Sequence, residues 1–346
     1  MKIAFFDTKP YDKKIFDDMN KSFGYDIKYF ETRLLEETVD LTKGYDVVCA
    51  FVNDDLGSKT INRMYENGVK FIALRSAGYN NVDLKETYEK INVANVPKYS
   101  PYAVAEHTVG LILSMNRKIH KAYYRTKDGN FTINGLMGFD MRGKTIGIIG
   151  TGKIGQTLIE ILSGFGMRVL AYDKFPNEEA AEKLGYEYVD LTDLLEKSDI
   201  ISLNCPLTKE TYHMINEQTL SFMKPNAMVV NTGRGRLINT KDLIEALKSG
   251  KIGSAALDVY EEENEYFFED FSSEIIEDDM LARLISLPNV LLTSHQAFFT
   301  NEAITNIARV TLENIKEYAD DKAYTNEVCY RCKKEKCTKN EKGRCF

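Results

Sequence analysis

An arginine, a set of acids and a histidine each follow a short apolar run in the second half of the chain. Met228-Val229-Val230-Asn231-Thr232 leads into Gly233-Arg234-Gly235. Ala255-Ala256-Leu257 leads into Asp258, with Glu261, Glu262 and Glu263 close behind, and Val290-Leu291-Leu292-Thr293-Ser294 leads into His295. Runs of this length and character read as buried parallel strands, and open α/β sheets bind their ligands beyond the carboxyl ends of the strands. A guanidinium grips a carboxylate with two parallel hydrogen bonds, which an ammonium cannot do. Histidine is the side chain poised to exchange a proton near neutral pH. An acid on its other ring nitrogen would orient it and raise its pKa, although periodicity does not say which glutamate meets His295. Together these groups suit the reduction of a carbonyl that lies beside a carboxylate, given a hydride donor.

The hydride donor has its own signature. Thr145 to Ile149 is a further buried-strand run, and it enters Gly150-Thr151-Gly152-Lys153-Ile154-Gly155, a G-x-G-x-x-G. Helically spaced Ile154, Leu158, Ile161 and Leu162 follow, then a second strand from Arg168 to Tyr172, closed by Asp173. Gly150 allows the tight turn, Gly152 admits a pyrophosphate to the backbone, and Gly155 lets helix and strand pack closely. The helix N-terminus, opened by Lys153 and Ile154, faces the phosphates with its partial positive charge. Asp173 would bind the ribose hydroxyls and repel a 2′-phosphate, which favours NAD over NADP, with Lys174 beside it as an opposing charge. Cys205, Pro206, Thr232 and Asp258, at neighbouring strand ends, join the expected cofactor site. A glycine-rich structural turn would explain the glycines but not the terminal acid.

Plainer readings exist for each polar residue. Arg234 between two glycines could be a surface turn, Asp258 could cap a turn, and an acidic run is by default a solvated face. His107, His120 and His213 read as structural, and Cys205 as a small packed thiol.

The elements that must position this chemistry form two alternating sets. Strands are expected at Ile3–Phe6, Asp26–Phe30, Val47–Phe51 and Val69–Leu74, with helices over Tyr11–Phe23 and Leu56–Asn67, which predicts a small parallel sheet covered by helices. From Lys144 onward seven strand-like runs end near Gly150, Asp173, Leu191, Asn204, Thr232, Asp258 and Ser294, a second doubly wound sheet. Ser100-Pro101 opens a helix between the two sets. That helix is apolar around more than one face, so it is buried within a domain or against another subunit. Residues 128–143 read as a loop or arm. The fold class is therefore α/β, with two Rossmann-like or flavodoxin-like doubly wound domains. The second is nested in the first, and a closing helix near Asn301–Tyr318 returns to the first domain.

The 346 residues supply about two domains with ample core. A net charge of −7 argues against nucleic acid or an anionic membrane as the main partner. No apolar run approaches the length of a membrane span, and the N-terminus reads as a strand and not as a signal peptide. The expected compartment is the cytoplasm, where Cys49 and Cys205 stay reduced.

These motifs resemble the D-2-hydroxyacid dehydrogenase family, and within it the bacterial fermentative D-lactate dehydrogenases. The resemblance rests on Phe71 to Asp83 (FIALRSAGYNNVD), Val96 to Pro101 with Ala105-Glu106-His107, and the glycine loop. It extends to Asn231 to Gly235, Leu257 to Glu263, and Ser294 to Phe299. It implies that His295 is the acid/base, Glu263 its carboxylate partner, Arg234 the substrate clamp, and Asp258 a support for the site. Backbone N–H groups of Ser76, Ala77 and Gly78 would help hold the carboxylate, Tyr99 would reach in, and Phe298 and Phe299 would crowd the side-chain pocket. It further implies a substrate domain at 1–100 and 298–328, an NAD-binding domain at 101–297, and a homodimer or homotetramer in which the helix after Pro101 finds a partner. The implied reaction is NADH-dependent reduction of pyruvate. Larger or more polar 2-oxo acids (2-oxoisocaproate, glyoxylate, hydroxypyruvate) and a non-catalytic NAD-sensing scaffold are the competing readings.

The last 18 residues stand apart. Residues 329–346 carry seven basic and two acidic side chains, a charge of +5 against −12 for the rest of the chain. Cys329, Cys332, Cys337 and Cys345 follow a C-x2-C-x4-C-x7-C spacing that suggests a zinc or small cluster site. The plainer reading is a flexible basic tail with oxidisable thiols.

Overall fold

The computed structural model describes residues 1–330 and 345, which fall into two compact units, Met1–Ser100 with Thr300–Phe346 and Pro101–Phe299. In the first unit, β1 (Lys2–Phe5), β2 (Asp26–Tyr29), β3 (Val47–Ala50), β4 (Phe71–Leu74) and β5 (Asn92–Ala94) are parallel, and the short strand Glu327–Val328 pairs antiparallel with β5. The order is Glu327–Val328, β5, β4, β3, β1, β2. Central strands β3 and β4 are buried at every residue, as all-apolar VVCA and FIAL require, whereas edge strand β2 exposes Asp26 and Lys28. One face of the sheet packs Leu56, Ile61 and Met64 from the helix region before Asn67. The other face packs Ala308, Leu312 and Ile315 of the helix Asn301–Ala319 against Ile3, Phe5 and Phe71.

The second unit holds seven parallel strands: β6 (Thr145–Ile149), β7 (Arg168–Tyr172), β8 (Glu187–Tyr188), β9 (Ile200–Leu203), β10 (Met228–Asn231), β11 (Ser254–Leu257) and β12 (Val290–Leu292). Their order, β12-β11-β10-β9-β6-β7-β8, reverses direction between β6 and β9, the topological switch point at which such sheets bind ligands. All seven expected strand runs are present. Strands Asn92–Ala94 and Glu327–Val328 were not legible in the sequence, because Asn92 and Glu327 interrupt what would otherwise read as an apolar run.

The helix Pro101–Arg117 buries an apolar face within its own unit, one of the two alternatives that its composition leaves open. Ala105, Val109, Ile112 and Met115 are already consumed by Ile146, Ile148, Leu158 and Ile159 of its own unit. The unpaired apolar surface lies just beyond it, where Ile119, Tyr123, Tyr124, Phe131, Ile133 and Met137 are exposed on the helix Ile119–Lys127 and the loop that follows. No helix among the described residues is long and apolar enough to cross a membrane.

Candidate active site

Three adjacent strands of the second unit end in the three side chains singled out for chemistry. After β10, Asn231 pins the turn: its Oδ1 accepts from the Gly233 N–H at 3.0 Å and its Nδ2 donates to the Arg234 carbonyl at 2.9 Å. Arg234 Nη1 donates to the Gly233 carbonyl at 2.7 Å, and the guanidinium makes no ion pair among the described residues. Gly235 must be glycine, since a Cβ there would lie 2.0 Å from the Tyr260 carbonyl oxygen. That contact brings the Arg234 turn against the loop after β11, where Tyr260 N–H donates to Glu263 Oε2 at 2.8 Å. The other oxygen, Glu263 Oε1, lies 2.7 Å from His295 Nδ1. Arginine turn, carboxylate and imidazole are thus joined by one chain of close contacts.

The structure separates the three consecutive glutamates by giving each its own partner. Glu261 pairs with His213 Nε2 at 2.5 Å while its Oε2 accepts from Thr240 N–H and hydroxyl at 3.0 and 2.8 Å. Both oxygens of Glu262 accept from Arg236 Nη2 at 3.0 Å. Glu263 alone meets His295.

His295 sits in the left-handed region at φ 52°, an uncommon conformation for a residue with a Cβ, and its surroundings hold it there. Its N–H donates to the Asp258 carbonyl at 2.7 Å. The Asp258 carboxylate is fully buried and accepts from Thr293 Oγ1 at 2.5 Å, Gln296 N–H at 2.9 Å and Ala297 N–H at 2.8 Å, with His107 Nε2 at 3.4 Å. Burial pushes the carboxyl pKa up, but the hydrogen bonds from His107, Thr293 and Ala297 outweigh it and hold the pKa below the usual value. Asp258 therefore spends its oxygens on the turn that carries His295. His295 Nε2 makes no hydrogen bond among the described residues. Beside the ring stand Phe268, at a centroid distance of 6.1 Å, then Phe298 at 6.5 Å from Phe268, and Phe299 at 6.0 Å from Phe298. Phe268, held at φ 70°, escaped sequence reading because it lies in an acidic stretch without period.

At the switch point the glycine loop has the form expected for a dinucleotide. Gly150 turns at φ 96°, and a Cβ on Gly155 would meet the Gly150 carbonyl oxygen at 2.1 Å. Gly152 is the N-cap of the helix Lys153–Ser163, and with no side chain of its own it makes no capping hydrogen bond to the first-turn amides. A Cβ at Gly152 would meet nothing within 4 Å, leaving room for a ligand at those amides. Asp173 is preset: Oδ2 accepts from Thr151 N–H and hydroxyl at 2.7 and 3.1 Å, and Oδ1 from Phe175 N–H at 2.9 Å. Each carboxylate oxygen accepts more than one bond, so capacity remains for ribose hydroxyls. Lys174 is drawn toward Glu210, at 3.9 Å. Cys205 and Pro206 follow β9; the Cys205 thiol lies 3.6 Å from Met214 Sδ, and burial pushes its pKa up to about 11, the behaviour of a packed thiol. Thr232 is buried, with its hydroxyl 2.9 Å from that of Thr108.

In the first unit, Ser76, Ala77 and Gly78 follow β4 in a tight turn. Ser76 Oγ donates to the Gly78 carbonyl at 2.7 Å, and Asn95 Nδ2 donates to the Ala77 carbonyl at 2.8 Å. Their three backbone N–H groups donate to nothing among the described residues. Tyr99 is anchored through its carbonyl, which accepts from Asn306 Nδ2 at 2.8 Å. Among the described residues no group of three or more His, Cys, Asp or Glu side chains gathers as a metal site. Of the tail cysteines, Cys332 and Cys337 lie outside the described residues.

Comparison with known proteins agrees with this geometry. Residues 109–297 match the family described as D-isomer specific 2-hydroxyacid dehydrogenase, NAD binding domain. The chain is 50% identical over 329 residues to "D-lactate dehydrogenase" of Escherichia coli K12, covering 95% of this chain and all of the relative. It is 51% identical to "2-hydroxyacid dehydrogenase homolog" of Haemophilus influenzae, over 95% of this chain and 99% of the relative. Among solved structures, the apo form of E. coli D-lactate dehydrogenase matches at TM-score 0.87 and 48% identity, over 95% of this chain and 100% of that one. The pyruvate reductase of Chlamydomonas reinhardtii matches at TM-score 0.89 and 42% identity, over 94% and 98%.

Proposed function

Because the chain belongs to the D-isomer specific 2-hydroxyacid dehydrogenase family and is an NAD-dependent dehydrogenase, we propose that it reduces pyruvate to D-lactate with His295 as proton donor. The observation that carries this reading is the His295–Glu263 pair, joined through Tyr260 and Gly235 to the Arg234 turn.

When bound, the nicotinamide coenzyme would supply the hydride. Glu263, fixed by the Tyr260 amide, accepts from His295 Nδ1 and so leaves Nε2, the outer ring nitrogen, to exchange a proton with the substrate oxygen. As the carbonyl carbon gains the hydride, its oxygen takes the Nε2 proton. Glu263 stabilises the imidazolium that precedes this transfer. Arg234, free of acidic partners among the described residues, clamps the substrate carboxylate through two parallel N–H groups. The family resemblance also assigns the amides of Ser76, Ala77 and Gly78, and Tyr99, to the substrate. Phe268, Phe298 and Phe299 favour a small methyl group over a long or polar side chain, which supports pyruvate over 2-oxoisocaproate or hydroxypyruvate.

In this reading residues 1–100 and 298–328 form the substrate domain, and residues 101–297 bind NAD through Gly150, Gly152, Lys153, Ile154, Gly155 and Asp173. Cys205, Pro206, Thr232 and Asp258 complete that side. The exposed apolar residues between Ile119 and Met137 are the surface through which copies of the chain pair, since a patch of that kind on a monomer marks an interaction site. A cytoplasmic location accords with the two body cysteines held as thiols.

The test is purified protein with NADH and a panel of 2-oxo acids, followed by NADH absorbance. Fastest turnover with pyruvate, and reverse reduction of NAD by D-lactate but not L-lactate, supports the proposal. A different best substrate overturns the pyruvate assignment, and absence of turnover with every acid overturns the enzymatic one.

A further inference from the structure

The outermost strand of the seven-stranded sheet is very short, yet it delivers one hydroxyl to the glycine loop. β8 pairs with β7 in the register Leu170↔Glu187 and Ala171↔Tyr188, so Tyr188 stands beside the strand that leads into Asp173. Its ring packs against the core cluster that contains Ala171 and Tyr186, a task that phenylalanine would perform equally well. The hydroxyl is what such packing does not require. It lies 2.6 Å from Thr151 Oγ1, 3.0 Å from the backbone nitrogen of Asn177 and 3.2 Å from the Tyr186 hydroxyl.

Proton counting sets the direction of these bonds. An ionised carboxylate only accepts, so Thr151 spends its one hydroxyl proton on Asp173 Oδ2, at 3.1 Å. The 2.6 Å contact then takes its proton from Tyr188. With that proton used, Tyr188 accepts from the Asn177 N–H and from the Tyr186 hydroxyl. Burial, and after it the Tyr188 phenol, pushes the Tyr186 pKa well above the ordinary tyrosine value, so this donor keeps its proton. The bonds run one way, from Tyr186 through Tyr188 and Thr151 to Asp173.

The two groups that Tyr188 ties lie on either side of Asp173. Thr151 belongs to the glycine loop and is buried, with its N–H donating to Asp173 Oδ2 at 2.7 Å and its carbonyl accepting from Gln156 Nε2 at 2.8 Å. Asn177 ends the short segment after Asp173 and caps the helix Glu178–Leu184. Neither the carboxylate nor the segment behind it can swing away without breaking a bond to this network. A coenzyme with a 2′-phosphate needs that swing, because the carboxylate must leave and a cation such as Lys174 must approach.

We infer that Tyr188 is a positioning residue for coenzyme choice: its hydroxyl, acting through Thr151, holds Asp173 in the orientation that accepts ribose hydroxyls and refuses a 2′-phosphate. The inference rests on the reading of Asp173 as the ribose acid, and it is independent of which 2-oxo acid is reduced.

The test uses Tyr188→Phe, which keeps the ring and removes the hydroxyl. The dissociation constant for NADH, read by fluorescence without substrate, should rise about 3-fold to 10-fold, and the preference for NADH over NADPH should narrow by a similar factor. At saturating NADH, kcat with the best 2-oxo acid should stay within about 2-fold of the parent chain, which shows that the variant is folded. Tyr186→Phe leaves the donation from Tyr188 to Thr151 in place and should change NADH affinity by less than about 2-fold. Asp173→Ala should abolish most of the preference for NADH, and adding Tyr188→Phe to it should change coenzyme affinity no further. Parental affinity and preference in Tyr188→Phe overturn the inference, as does an equal loss in Tyr186→Phe. A loss confined to kcat, or fully additive effects in the double variant, contradicts it as well. Unchanged preference in Asp173→Ala removes the ribose reading beneath it, so the two failures are told apart.

Discussion

Two histidine–glutamate pairs occupy the loops of the same seven-stranded unit, at almost the same separation, and they are built for different work. In one, His295 Nδ1 meets Glu263 at 2.7 Å; in the other, His213 Nε2 meets Glu261 at 2.5 Å. The first ties down the ring nitrogen nearer the backbone and leaves the outer one for a substrate. The second spends the outer nitrogen on the glutamate. The carboxylates differ in the same sense. Glu263 is anchored by the Tyr260 amide beside the Arg234 turn, whereas Glu261 accepts the amide and hydroxyl of Thr240, the first residue of the helix Thr240–Lys248. A carboxylate at a helix start is a stabilising cap. The His213 ring is also covered by Tyr212, with centroids 3.9 Å apart. A histidine beside an acid is therefore not in itself an acid/base pair; which nitrogen is tied, and what the acid's second oxygen holds, decides the role.

Substitutions sharpen this contrast. The largest effect is expected from His295→Asn, which should lower kcat for pyruvate by about 10³-fold while leaving NADH affinity, read by fluorescence, nearly intact. Arg234→Lys keeps the charge but loses the fork. Its kcat/KM should fall by about 10²-fold, mostly through KM, with the deficit persisting at every salt concentration tested. Glu263→Gln should cost about 10-fold to 10²-fold in kcat, because the amide supports the imidazolium less well than a carboxylate does.

Asp258→Asn probes the turn beneath His295 and should remove about 2–3 kcal/mol of stability at neutral pH, measured by urea unfolding. The pH dependence has a definite sign. Asp258 has its folded pKa depressed, so its contribution is present above the unfolded carboxylate value of about 4 and is lost as pH falls through the folded value. The variant should lack that part of the acid limb. The smallest effect belongs to the second pair: His213→Gln should lower stability by about 1 kcal/mol and leave kcat close to that of the parent chain.

Much of this was legible because the signals are local. The strand–glycine–helix–strand run ending in Asp173 contains its own cofactor logic within thirty residues, and apolar runs such as MVVN and SAAL can only be buried. The pairing of Glu263 with His295 could not be read this way. Glu261, Glu262 and Glu263 are chemically equivalent neighbours, and their partners His213, Arg236 and His295 lie 48, 26 and 32 residues away. Only the register of β10, β11 and β12 sorts them. Asp258 shows the same limit from another side. Its place at a strand end was legible, but the hydrogen bonds that its buried oxygens accept from Thr293, Gln296 and Ala297, in a turn not predictable from composition, were not. Phe268 gave no signal, since its place beside His295 depends on a left-handed backbone at a residue that rarely adopts one.

The most direct measurement is the ratio of kcat values for His213→Asn and His295→Asn, determined with saturating NADH and pyruvate in one assay. With proton transfer assigned to the outer nitrogen of His295 alone, the ratio should be on the order of 10³. A ratio near unity, or near-parental turnover in His295→Asn, would contradict that assignment.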